Sequence, residues 1–205
     1  MIRILAVDDH AIVRDGIARL VATQSDMELV AEASDGREAI EQFRQHCPDV
    51  TLMDLQMPNM CGIDAINAIR GEFPEARIVV LTTYAGDVQV KRALQAGAQG
   101  YLLKGLLRKE LLDTIRAIYA GQKRLTAEIA AEIAEHAIDT DLTPREISVL
   151  KLIAGGNANK EIAAQLHISE ESVKGYVKNI LLKLGAHDRT HAAILGLKRG
   201  IIDLS

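Results

Sequence analysis

Short apolar runs alternate with longer amphipathic stretches over the first 120 residues. The runs fall at 2–7, 27–33, 50–53, 78–81 and 101–103, and several are rich in Val and Ile and short enough for buried strands. Between them, 12–23, 37–46, 63–72, 88–96 and 109–120 carry apolar residues at helical spacing. Five strands alternating with five helices predict parallel β-α-β units, hence a doubly wound α/β sheet of five parallel strands. After residue 140 no strand-like run occurs. Four helices are predicted instead, at 144–154, 160–166, 170–184 and 189–198, forming an all-α domain. An Ala- and Glu-rich stretch at 126–137, between Gly121 and the polar Asp139-Thr140-Asp141, reads as a linker helix. The expected division is a sheet domain at 1–122, a linker at 123–140 and a helical domain at 141–205.

Composition changes this picture little, but charge sharpens it. With 48% hydrophobic and 25% charged residues, the 205-residue chain has an ordinary globular balance, and no apolar run suits a bilayer span. The amino terminus turns acidic after four apolar residues, Ile4 to Val7, which argues against a signal peptide and for the cytoplasm. Two cysteines, Cys47 and Cys61, form neither a disulfide framework nor a zinc set. The net charge of −4 is uneven. From Asp141 onward there are 9 Lys and Arg against 7 Asp and Glu, a net +2, and the other 140 residues carry 15 against 21, a net −6. That split suggests two domains with different partners.

Chemistry gathers where the predicted strands end. In an open parallel sheet, ligands bind beyond the carboxyl ends of the strands. Strand one ends in Asp8-Asp9, strand three in Asp54 and strand four in Thr82-Thr83, and strand five runs into Lys104. Any one of these aspartates alone reads most simply as a turn or cap residue. Together they place three carboxylates, a hydroxyl and an ammonium at one edge. Carboxylates so close need a cation among them, and hard oxygen donors suit Mg²⁺. Such a set suits a transferable phosphoryl group, with a carboxylate able to serve as nucleophile.

Val7-Asp8-Asp9-His10, Met53-Asp54-Leu55-Gln56-Met57-Pro58, Val80-Leu81-Thr82 and Gly100-Tyr101-Leu102-Leu103-Lys104, in this order, resemble the receiver domain of response regulators over residues 1 to about 120. The resemblance implies a flavodoxin-like fold and a phosphoacceptor, Asp54, served by a sensor histidine kinase. It implies Mg²⁺ held by Asp8, Asp9, Asp54 and the main-chain carbonyl of Gln56, with Thr82 and Lys104 contacting the phosphoryl oxygens. It also makes Tyr101 a switch aromatic that turns inward as Thr82 moves; by itself Tyr101 reads equally as a half-buried strand residue. Cys61 departs from the pattern without a redox role, and Gln56 and Tyr84 flank the site as candidates for tuning acyl-phosphate hydrolysis.

The helical half has its own punctuation. Thr143 can cap a helix, Pro144 suits its first position, and Glu146 completes a capping box. Gly155-Gly156 ends that helix, 159–166 forms a second, His167-Ile168-Ser169 is a turn, and Ser169 caps a third. Along the third helix Val173, Val177, Ile180 and Leu184 make a stripe, and Lys174, Gly175 and Lys178 point away from it. Such a face is either solvated or suited to a major groove. Leu142-Thr143-Pro144-Arg145-Glu146, Asn159-Lys160-Glu161-Ile162-Ala163, Ser172-Val173-Lys174 and Asn179-Ile180-Leu181-Leu182-Lys183-Leu184 resemble the LuxR-type helix-turn-helix, and the whole chain resembles the NarL/FixJ class of response regulators. This implies double-stranded DNA as partner. Lys174, Gly175 and Lys178 would face bases and phosphates, Lys160 would meet the backbone, and the last helix would support a homodimer. Gly175-Tyr176 departs from the Thr- or Val-type residue followed by His that relatives commonly carry, which leaves the operator sequence open.

The combined expectation is a transcriptional regulator, not a dedicated enzyme, in which phosphorylation shifts the receiver toward a dimer competent for DNA binding. Three other readings stand beside it. A haloacid-dehalogenase-type phosphohydrolase places two aspartates one residue apart after strand one, where this chain has adjacent Asp8-Asp9. A constitutive regulator would ignore phosphate. An interaction adaptor would have a helix-turn-helix that does not touch DNA.

Overall fold

A computed structural model of the chain describes residues 1–83, 86–105, 108–126, 129–131 and 142–202. It divides into two compact units, Met1–Ala85 with Val90–Ala130, and Gly86–Gln89 with Ala131–Ser205.

Along the chain, β1 (Ile2–Val7), β2 (Met27–Ala33), β3 (Val50–Met53), β4 (Ile78–Thr82) and β5 (Gly100–Leu103) alternate with α1 (Ala11–Ala22), α2 (Gly36–His46), α3 (Gly62–Glu72), α4 (Asp87–Gln95) and α5 (Arg108–Tyr119). Strand order is β2-β1-β3-β4-β5-β6, with every pairing parallel. The sheet thus has six strands rather than five. The added strand, β6 (Arg124–Leu125), pairs Gly100 with Arg124 and Tyr101 with Leu125. Gly121, at φ +82°, turns the chain after α5, and the Arg124 N–H then donates to the Gln99 carbonyl over 3.0 Å. Two residues carry no alternation, so hydrophobic patterning cannot announce this strand. The sheet therefore continues past residue 122.

Ile4, Ala6, Val50, Leu52, Val79, Leu81 and Leu102 from the strands pack with Ile17 and Val21 of α1 and Ile115 and Ile118 of α5. β3 and β4 are buried along their whole length, as strands covered by helices on both faces must be. That core fixes the level at which each strand stops. At the β3 end the backbone is crowded as well. A side chain at Gly62, the first residue of α3, would overlap the Asp54 carbonyl, so only glycine lets the helix begin there.

The second unit holds α6 (Pro144–Ala154), α7 (Asn159–Leu166), α8 (Glu170–Leu184) and α9 (Arg189–Lys198). Thr143 and Glu146 form the expected capping box, and Pro144 opens α6. Ser169 caps α8 by accepting from the Ser172 N–H, and Gly185, at φ +62°, closes it. Val149, Leu150 and Ile153 of α6, Ile162 and Ala163 of α7, Val173, Ile180 and Leu184 of α8, and Ala192 of α9 form one core. Val177, expected in the stripe, is half-buried. The linker helix expected at 126–137, and Tyr84, lie largely or wholly outside the described residues.

Candidate functional site

The ends of β1, β3 and β5 bring Asp8, Asp54 and Lys104 into contact. Ladder hydrogen bonds carry the register into the site. The Asp54 N–H donates to the Val7 carbonyl over 2.9 Å, and the Lys104 N–H donates to the Thr82 carbonyl over 2.7 Å. Lys104 Nζ lies 2.6 Å from Asp54 Oδ2 and 2.7 Å from Asp8 Oδ2, so one ammonium bridges carboxylates from two strands. Asp8 and Asp54 are both buried, at 1% and 2% exposed. The other Asp54 oxygen, Oδ1, accepts from the backbone N–H of Leu55 at 2.7 Å and of Gln56 at 3.3 Å. Gln56 thus sits two residues past Asp54 with its side chain exposed.

Electrostatics follow from burial and pairing. Burial pushes the Asp54 carboxyl above its ordinary range, with Asp8 adding repulsion, while Lys104 pulls the other way. Burial works against the Lys104 ammonium, but its bonds to Asp54 and Asp8 outweigh that and hold it charged above its usual range. Tyr101 on β5 is fully buried, and burial, reinforced by the Asp54 charge, raises its phenol. Thr82, at the end of β4, is fully buried too. Its hydroxyl has no hydrogen-bond partner among the described residues.

Asp9 is exposed at the mouth of this cluster. Ligand atoms of Asp8, Asp9, His10 and Asp54 all lie within 4.8 Å of one another. Three carboxylates so close form a hard-oxygen set that fits a divalent cation such as Mg²⁺. His10 belongs to the same cluster, with Nδ1 2.6 Å from Asp9 Oδ1. His10 stands in the Val7-Asp8-Asp9-His10 motif, to which the resemblance assigns no role at this position. Its place directly after Asp9 was the available signal.

The four residues predicted to face DNA are divided between two helices. Lys174, Gly175 and Lys178 are exposed on α8, and Lys160 is exposed on α7. Lys174 pairs at the surface with Glu171, 3.3 Å away on the preceding turn. Behind this face, Glu146 of α6 is buried at 3% exposed and meets Lys183 of α8 at 2.8 Å. Burial opposes the Glu146 charge, but hydrogen bonds from Lys183 and Thr143 prevail and hold its carboxyl below the usual glutamate range.

Residues 4–116 match the response regulator receiver domain family, and residues 140–195 match the luxR family of bacterial regulatory proteins. The chain therefore belongs to the two-component response regulators with a luxR-type helix-turn-helix, the NarL/FixJ class, and is a DNA-binding transcription regulator. The uncharacterized transcriptional regulatory protein YhcZ of Bacillus subtilis (strain 168) is 43% identical over 205 residues, covering 96% of this chain and 95% of its own. The transcriptional regulatory protein LiaR of the same strain is 40% identical over 211 residues, covering 99% and 100%. The solved complex of the two-component response regulator RcsB with DNA is similar at a TM-score of 0.72 and 26% identity, over 96% of this chain and 98% of that one. Among the described residues, no helix is long and apolar enough to cross a membrane.

Proposed function

We propose that the chain is a cytoplasmic regulator switched by phosphorylation of Asp54, with a sensor histidine kinase as phosphoryl donor and an operator in double-stranded DNA as target. The observation that carries this is the bridge from Lys104 to both Asp54 and Asp8 at the sheet edge, in a chain of this family. An Asp54 carboxylate oxygen attacks the phosphorus of a phosphohistidine. The P–O bond forms as the N–P bond breaks, and the imidazole leaves. Asp8, Asp9, Asp54 and the Gln56 carbonyl would hold Mg²⁺, which supplies positive charge to the phosphoryl oxygens when bound. Lys104 keeps its ammonium beside the acceptor and pairs with a phosphoryl oxygen once Asp54 is esterified. The buried Thr82 hydroxyl is the donor on this edge without a protein partner among the described residues, which supports its pairing with the same group.

On α8, Lys174 and Lys178 would reach phosphates and base edges, with Gly175 allowing close approach and Lys160 adding a backbone contact. RcsB, to which the chain is similar, has been solved on DNA, and α8, as the second helix of the helix-turn-helix, would enter the major groove. Phosphorylation biases the receiver toward a homodimer, and a dimer reads two half-sites. The receiver promotes its own phosphoryl transfer and hydrolysis and turns over no other substrate.

The test measures DNA binding and molecular mass with and without beryllofluoride plus Mg²⁺, on wild type and Asp54→Ala, using duplexes enriched from a random pool. Tighter, salt-sensitive binding and dimer formation in treated wild type alone are expected. Equal behaviour in all four samples would mean a constitutive regulator.

A further inference from the structure

His10 meets the carboxylates of the acidic edge through both its backbone and its imidazole. Its backbone N–H donates to Asp8 Oδ1 over 3.0 Å, and its imidazole Nδ1 lies 2.6 Å from Asp9 Oδ1 and 3.3 Å from Asp8 Oδ1. With its N–H on Nδ1, the imidazole is placed to share that proton with both carboxylates. The two aspartates differ in how else they are held. Asp8 is buried at 1% exposed and also meets Lys104, whereas the Asp9 side chain is 31% exposed and has the His10 imidazole as its contact among the described pairs. Like charge pushes the two carboxylates apart, and an N–H shared between them offsets that push. We infer that His10 is a positioning residue for the divalent cation, its imidazole holding the Asp9 carboxylate converged with Asp8. The inference rests on the metal-assisted reading of the receiver.

Partners that orient a ligating carboxylate commonly matter to metal affinity by about ten-fold or more. The imidazole is itself mostly exposed, at 67%, so removing it leaves no cavity and should not disturb the fold. Asparagine supplies the discriminating variant. Its amide nitrogen hangs from the same carbon position as Nδ1 and can donate the same hydrogen bond, whereas alanine cannot.

The experiment titrates full-length protein with Mg²⁺ alone by calorimetry, for wild type, His10→Ala and His10→Asn, with thermal unfolding run alongside. His10→Ala should weaken Mg²⁺ binding about ten-fold. His10→Asn should recover most of that loss; His10→Ala should melt with wild type, and His10→Asn, a better cap for α1, should melt no lower. Unchanged affinity in His10→Ala, or an Asn variant as weak as the Ala variant, would overturn the inference while leaving the metal site standing. No Mg²⁺ uptake by wild type would overturn the metal site itself, and the role of His10 with it. If His10→Ala melts early, Mn²⁺ affinity read by electron spin resonance at a temperature where every variant is folded decides on the same ratios.

Discussion

The two domains use charge in opposite ways. At the receiver edge, Asp8, Asp54 and Lys104 are drawn out of water and bonded to one another at 2.6 to 2.7 Å. On α8, Lys174 and Lys178 stand in solvent, and Lys174 pairs at the surface with Glu171. Buried charges in low dielectric respond to a single added group, so the proposed phosphorylation of Asp54 would disturb several interactions at once. Exposed lysines gain little from their neighbours and keep their charge for a polyanion. A switch and a sensor of DNA thus need different surroundings for the same side chains.

The helical domain breaks this contrast at one point, and the largest expected effect lies there. Buried Glu146 pairs with half-buried Lys183, and Glu146 also closes the cap of α6. Glu146→Ala should destabilise this domain by about 2 kcal/mol, since it removes a buried, hydrogen-bonded carboxylate and a cap of α6. Hydrogen exchange of α8 amides would report the loss, and unchanged protection would remove the pair from the list of stabilising contacts. The pair also predicts a pH dependence. Its folded pKa is depressed, so its contribution is complete above the ordinary glutamate value of 4.5 and fades as pH falls through the lower folded value. Exchange protection in α8 should therefore hold from neutral pH down to about 4.5 and decline from there to the lower folded value, below which the contribution is gone, and the Glu146→Gln variant should lack this acid step.

The next effect sharpens the contrast from the other side. Because Lys174 and Lys178 are exposed, replacing either with Ala should leave the melting temperature almost unchanged. Each should lower the slope of DNA affinity against salt by about one. A variant that loses affinity at every salt concentration with the slope intact would mean that the residue acts through folding.

These two regions were unequally legible in the sequence. Asp8, Asp54 and Lys104 could be brought together on paper because parallel strands covered on both faces end at one level, and β1, β3 and β5 announce themselves by apolar runs. Helix punctuation was equally plain, since Thr143, Pro144 and Glu146 carry a capping box in three letters. Three things were not legible. β6 is two residues long and has no period. The Glu146–Lys183 pair joins residues 37 positions apart, a tertiary contact that no local pattern encodes. The His10 contact depends on a side-chain direction, which spacing alone does not give.

Thr82 offers a smaller test of how far the receiver edge is built for function rather than stability. A fully buried hydroxyl without a partner among the described residues is a cost to the fold. Thr82→Val keeps the shape and removes the polar atom, so it should leave stability unchanged or raise it by about 1 kcal/mol. The same variant should lose the beryllofluoride-induced rise in DNA binding. A destabilised Val variant would show that the hydroxyl has a structural partner.

The smallest effect returns to α8. Gly175 lies mid-helix, with ordinary helical backbone, and a Cβ built there meets nothing within 4 Å. Neither packing nor a left-handed turn calls for glycine, yet glycine in a helix interior costs about 1 kcal/mol relative to alanine. Gly175→Ala should therefore raise the stability of the helical domain by about 0.5 to 1 kcal/mol, seen as slower exchange in α8. If the missing side chain serves close approach to DNA, the same change should weaken binding to the enriched duplex more than to random duplex, because a methyl group at the groove floor penalises specific docking first. Stability gained with binding unchanged would separate Gly175 from the DNA contact and leave Lys174 and Lys178 to carry that face.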